Sequence, residues 1–259
     1  MMDAELWTQS ISETDAPAYP CPHCGKAVLL MQPETFVAHA TVACLSQQPD
    51  EGWDPLIAHY GFLCWLKCAS SKCAGYVAVV GEGQEEPEWD EQYRQTIWER
   101  SFKPLFAWPM PSIFPIPIGC PKRVVAEIEA SFRALWSDAP SAASRLRVAV
   151  EYLLDEIGVP RRRRTTSGYE ALILHRRIEV LSQADAKTAA NLMAIKWLGN
   201  TGSHEAAVSR EDVLKAYEVM EHALDVLLEH RAKRATEIAK DLTRRHGKGR
   251  RRKRKAKRP

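Results

Sequence analysis

What this 259-residue sequence lacks narrows it first. No stretch approaches the roughly 18 consecutive apolar residues of a membrane-crossing helix, so no membrane span is expected. The opening residues, MMDAELWTQSISETDAPAYP, have neither a basic start nor an apolar run, so no secretory signal is expected. No internal repeat is visible. These absences lead to the expectation of a cytoplasmic chain whose thiols stay reduced. In that setting seven cysteines read as metal ligands or buried small hydrophobes rather than disulfides.

The last sixteen residues, RRHGKGRRRKRKAKRP, lack any acid and carry eleven Lys and Arg. The formal charge of +3 therefore conceals a division: without this tail the body has 25 basic and 33 acidic residues, a net −8. A run of like charges builds no core, so a disordered tail is expected. Its partner would be nucleic acid or another polyanion, since each neutralised phosphate releases counterions. Arg250, Arg251, Arg252, Lys253, Arg254 and Lys255 are the densest part of that patch. A merely solubilising tail has the same composition.

With 45% hydrophobic and 27% charged residues, the chain is otherwise an ordinary globular one, long enough for a substantial core. Composition shifts near residue 118, giving expected divisions 1–118, 119–243 and 244–259. The first part holds all but one cysteine and most prolines. GFLCWLKC and Tyr76–Val80 read as strands around a turn at ASSK, and EGQEEPEWDEQ reads as a polar loop. FKPLFAWPMPSIFPIPIGCP, with six prolines in twenty residues, reads as extended chain packing along the second part.

After Pro121 helical periodicity takes over. Helices are expected at Lys122–Trp136, with Val125, Ile128, Phe132 and Leu135 inward, and from Asp138, a cap, to Gly158, a stop. RRRRTTS reads as a basic loop and GYEALILHRRIEVL as the next helix. ADAKTAANLMAIKWLGN is another, and a last helix runs from the Ser209 cap to about Leu242. Short loops make an antiparallel bundle the expected arrangement.

Two signals carry chemistry. Cys21 and Cys24, in CPHCG, are spaced as a metal knuckle. A structural zinc needs two further ligands, and Cys68 and Cys73, on a turn between strands, are the best pair. Cys64 and His23 are alternatives, although Cys64 lies within an apolar run. Four thiolates would close the coordination sphere, making the ion structural.

The second signal is RLRVAVEYLLDEIG at 145–158 together with KWLGNTGSH at 196–204. With the knuckle, the pairs Arg147/Glu151 and Gly199/Asn200/His204 resemble the bacterial domain-of-unknown-function 4145 family, over about residues 20–230. That resemblance implies an N-terminal zinc-ribbon-like α+β module and an all-α HEPN-like bundle. It further implies a homodimer through the helical part, and relatives among defence ribonucleases and beside restriction enzymes. His204 would then be a general acid/base, with Arg147 or Lys196 stabilising phosphorane charge. Those ribonucleases carry arginine where this chain has Gly199, which counts against cleavage. Arg147, Glu151, Asn200 and His204 are expected to meet at a helix seam, with the glycines arguing for a helix break there. Arg147 with Glu151 is otherwise an ordinary surface ion pair. The sequence thus points to a zinc-binding, nucleic-acid-associated and non-catalytic protein. A ribonuclease or a protein-interaction module stands as the alternative.

Overall fold

The computed structural model describes residues 2–47, 57–201 and 208–246. Its N-terminal half is a four-stranded antiparallel sheet in the order β1-β2-β3-β4. The strands are β1 (Leu29–Ala40), β2 (His59–Cys68), β3 (Tyr76–Asp90) and β4 (Gln95–Trp108), with a short helix α1 (Val42–Gln47) after β1. Alternation decides the buried face. Phe62, Cys64, Leu66, Val77 and Val79 point inward, while Leu63, Trp65 and Val80 remain exposed.

The C-terminal half contains α2 (Lys122–Ala134), α3 (Ala139–Glu156), α4 (Leu174–Ser182), α5 (Ala186–Thr201) and α6 (Arg210–His246). Local signals explain their starts. Asp138 accepts the Ser141 N–H at 2.9 Å, with Pro140 in the first turn. Ser209 and Asp212 cap α6 reciprocally: Ser209 Oγ accepts the Asp212 N–H, and an Asp212 carboxylate oxygen accepts the Ser209 N–H. Leu146, Val150, Leu153 and Leu154 of α3 are fully buried, as the periodicity requires. Inside α2, Val124 rather than Val125 is the buried residue.

The expected fold class needs correction in both halves. The first half is a sheet with strands of 10–15 residues, larger than a zinc ribbon. The second half is not all-α. Between α3 and α4 a hairpin forms from β5 (Arg162–Thr165) and β6 (Gly168–Ala171), where a basic loop and the start of a helix were expected. The molecule is α+β, and the pure HEPN-like bundle that the resemblance implied is not carried forward.

Three segments escaped the sequence reading for physical reasons. β1 contains Pro33, which argues against a strand. A bulge between Gln32 and Val37 absorbs it, and Thr35 Oγ1 accepts the Trp65 N–H at 3.0 Å. EGQEEPEWD, expected as a loop, belongs to β3. The last β2–β3 pair is His59 with Gln84, so residues 85–100 form a two-stranded ribbon that lacks a core face and hence an apolar alternation. FKPLFAW, expected as extended non-sheet chain, is in β4, with Pro104 opposite Gly81 at a bulge.

Sheet and helices meet around aromatic rings. Trp7, Tyr19 and Trp136 have centroids 5.2–6.0 Å apart, and all three are buried. Arg210, at the start of α6, donates to the Trp136 carbonyl at 2.9 Å. Among the described residues, no helix is long and apolar enough to cross a membrane.

Candidate metal centre

Two tight turns supply the four cysteines. In the first, Cys21 N–H donates to the Ala27 carbonyl and Gly25 N–H donates to the Cys21 carbonyl, both at 2.8 Å. Gly25 takes φ of 61°, a left-handed conformation that a side chain would strain. The second turn leaves β2 at Cys68 and enters β3 at Tyr76. Cys68 N–H donates to the Gly75 carbonyl at 2.8 Å, and Cys73 N–H to the Ser70 carbonyl at 3.0 Å. Antiparallel pairing of Leu29 with Cys68 brings the two turns together at one end of the sheet.

The sulfurs then converge. Cys21 Sγ is 3.8 Å from Cys73 Sγ, and Cys24 Sγ is 3.7 Å from Cys68 Sγ. All four lie within 4.8 Å of one another, and the group can hold a metal ion. A tetrahedral zinc with sulfur at about 2.3 Å spaces its ligands about 3.8 Å apart, so the arrangement fits. The amide groups of the turns contribute too. N–H groups of Lys26 and Ala27 lower the Cys24 thiol to about 6. Burial pushes the Cys68 thiol up to about 12. A divalent cation among the sulfurs favours ionisation of all four.

The two alternative ligands are placed elsewhere. Cys64 is fully buried on the inner face of β2, and burial raises its thiol to about 12. His23 directs Nε2 to the Tyr76 carbonyl oxygen at 3.0 Å. Its ring lies over Gly75, where a Cβ would stand 2.4 Å from Cδ2. That role of Gly75, clearing space for the histidine that straps one turn to the other, was not legible in the sequence.

The second cluster is only partly assembled in the described residues. Arg147 and Glu151 pair at 3.0 Å, both about one-third exposed. α5 continues through Gly199 and Asn200 to Thr201, so the glycine does not break it. A Cβ on Gly199 would lie 2.6 Å from Arg147 Cβ and 2.8 Å from the Ala143 carbonyl, so Gly199 permits the close approach of α3 and α5. Asn200 follows it, half-buried. His204 lies outside the described residues, as do Arg250, Arg251, Arg252, Lys253, Arg254 and Lys255. Lys196 is buried and places Nζ 3.3 Å from the centre of the Trp197 ring. The guanidinium of Arg147 is thus neutralised by Glu151, and the ammonium of Lys196 is held against an aromatic face.

A stronger polar lock went unseen. Arg177, only 4% exposed, donates to Asp155 Oδ1 at 2.7 Å, the Val159 carbonyl at 3.0 Å and the Glu151 carbonyl at 3.2 Å. Arg161 also pairs with Asp155, and Arg163 pairs with Glu170 at 2.8 Å. Two arginines of the basic hairpin are therefore committed to carboxylates. Only a mid-helix arginine facing an acid 22 residues away carried that signal, and sequence spacing does not reveal such a pair.

Comparison with known families divides the chain in two. Residues 9–107 match the model of a domain of unknown function, DUF8608, and residues 129–245 match the model of another, DUF4145. The resemblance to the 4145 family therefore holds for the helical half, whereas the cysteine turns fall inside the other match. No curated protein and no solved structure matches the chain.

Proposed function

We propose that this protein is a non-catalytic, polyanion-binding protein, with a sheet clamped by structural zinc and nucleic-acid contacts concentrated in its basic C-terminus. Four cysteine sulfurs at tetrahedral spacing favour zinc in a closed site, with no open position for water or substrate. Such an ion fixes two turns to each other and leaves chemistry to nothing around it. The reduced thiols it needs suit the cytoplasm.

The observation that carries the binding reading is the segregation of charge. Eleven cations and no acid occupy residues 244–259, against a body at −8. Arg161 and Arg163 in the body are already paired, which leaves the tail as the strongest site for phosphate. Binding should therefore be strongly salt-dependent and weakly sequence-dependent.

The test compares the full chain with one ending at Thr243, on RNA and on DNA, across a salt series. The full chain should lose affinity steeply as salt rises, by up to about 0.9 decades per decade of salt for each phosphate contact. The shortened chain should show a flat, weak response and an unchanged melting transition. Equal low-salt affinity in the shortened chain would defeat the reading and place the contacts on the body.

A further inference from the structure

The outer face of the four-stranded sheet is bare, and its register shows what stands on it. Trp65 of β2 pairs with Ala78 of β3, and Ala78 pairs with Trp108 of β4. Paired residues share a face, so the three side chains form one row. Leu63, Val80 and Phe106 form the next row, and Lys67 and Tyr76 the row on the other side. The large apolar members of these rows are exposed, Trp65 at 38% and Trp108 at 66%. Between the two indoles Ala78 presents only a methyl group. Their strands are two spacings apart, about 9.5 Å, so a flat ring can enter beside either one.

Charge around this face departs from that of the body. Segments 20–33, 57–81 and 101–121, which build the face and its turns, contain four lysines and no acid. Carboxylates return one row further along β3, where Glu82 stands opposite Lys103. Lys67 holds Nζ 5.4 Å from the centre of the Tyr76 ring, and Tyr76 meets Trp65 edge-on with centroids 6.3 Å apart. Beside Lys67 lies an open hollow of about 400 Å³, walled by Gln32, Ser70 and Ser71. Among the described residues no carboxylate lines it.

We infer that this face binds single-stranded nucleic acid, with bases stacked on Trp65, Tyr76 and Trp108 and the backbone drawn to Lys67 and the hollow beside it. Every base has a π-surface, so aromatic side chains take unpaired strands with little regard to sequence. An open sheet face that displays rings is an established platform for such strands. Duplex bases are already stacked on each other and cannot use it. A protein partner would cover Leu63 and Val80 equally well, but the pairing of rings with lysines in an acid-free surround matches a polyanion that carries flat rings. The inference deepens the polyanion reading and rests on it for the class of partner. The tail supplies salt-sensitive attraction to phosphate, and this face supplies a preference for unpaired bases that counterion release does not govern.

Fluorescence anisotropy on the full chain provides the test, with four labelled probes of equal length: oligo(dT), oligo(rU), an abasic deoxyribose-phosphate strand and a duplex. Wild type should bind at least one base-bearing strand about tenfold or more tighter than the abasic strand, and that ratio should persist as salt rises. The tighter of oligo(dT) and oligo(rU) identifies the sugar. Trp65→Ala/Trp108→Ala should bring the ratio to about one while abasic and duplex binding stay at wild-type values. Trp65→Phe/Trp108→Phe keeps two rings and should keep most of the preference. Trp108→Ala alone, at the more exposed position, should lower the ratio with an unchanged melting temperature. Truncation after Thr243 should weaken all four probes together and leave the ratio as it was, so a tail without effect sinks the polyanion reading and not the ratio. A wild-type ratio near one overturns the inference and leaves the face to a protein partner. An unchanged ratio in both alanine variants also overturns it.

Discussion

Trp136 donates its indole N–H to the Trp7 carbonyl oxygen, 3.2 Å away and 129 residues earlier in the chain. Both side chains are almost fully buried, at 5% and 1% exposure. The bond ties the segment that leads into the sheet to the end of α2, within the ring cluster shared with Tyr19. Trp136→Phe leaves that carbonyl buried and unpaired, with an expected loss of about 1–3 kcal/mol. Urea unfolding followed by far-UV dichroism and by tryptophan emission measures it. The two signals should coincide in the wild type, because the sheet and helices share this core. Separate transitions would show that the halves unfold independently.

Asp155 lies between Arg161 and Arg177, and the hydrogen bond from Arg161 holds its carboxyl below the ordinary carboxylate range. A depressed folded-state pKa stabilises the fold above the unfolded value of about 3.9, and the contribution fades as pH falls below it. Asp155→Asn should therefore be less stable than wild type at neutral pH and lose less stability on acidification from about pH 5 to pH 3. Arg177→Met is expected to cost about 3–5 kcal/mol, because it strips partners from a carboxylate and two carbonyls at once. Parallel acid-denaturation slopes for wild type and Asp155→Asn would contradict the assignment.

Gly199→Ala sets two effects against each other. Alanine favours an interior helix position by about 1 kcal/mol. Its Cβ, however, would press on Arg147 Cβ and the Ala143 carbonyl, at 2.6 and 2.8 Å, and neither is the free end of a flexible side chain. The overpacking cost of about 1–3 kcal/mol should win, lowering the urea midpoint. A midpoint raised by the substitution would mean that α3 and α5 are not in this close register.

How far the sequence reveals this molecule depends on where each pattern's cause lies. Caps at Asp138 and Ser209 are local chemistry, and both helices start where those residues predict. The four cysteines were legible for the same reason: each pair sits in a turn of its own. β1 and the ribbon after Gln84 were not legible, because bulges and two-sided exposure erase the period of two. The β5–β6 hairpin escaped because its strands have four residues each and are exposed along most of their length. Gly199 read as a helix breaker, yet its cause is the backbone of α3 some fifty residues earlier.

The metal centre gives the most discriminating experiment. Its four sulfurs come from two turns that share no local sequence, so the ion, when bound, replaces contacts that the small loops cannot make for themselves. Purified protein should contain about one zinc per chain by elemental analysis. Cys68→Ser should lose that zinc, because an alcohol is a poor substitute for thiolate and the other three ligands leave an open corner. Cys64→Ser is the matched control. It removes a thiol four residues earlier on the same strand, fully buried but outside the cluster, so metal content should remain at the wild-type value while stability falls. His23→Ala tests the strap between the turns: zinc should still bind, with faster loss to a chelator once the contact with the Tyr76 carbonyl is gone. Full zinc occupancy in Cys68→Ser, or loss of zinc in Cys64→Ser, would remove the assignment of these four residues.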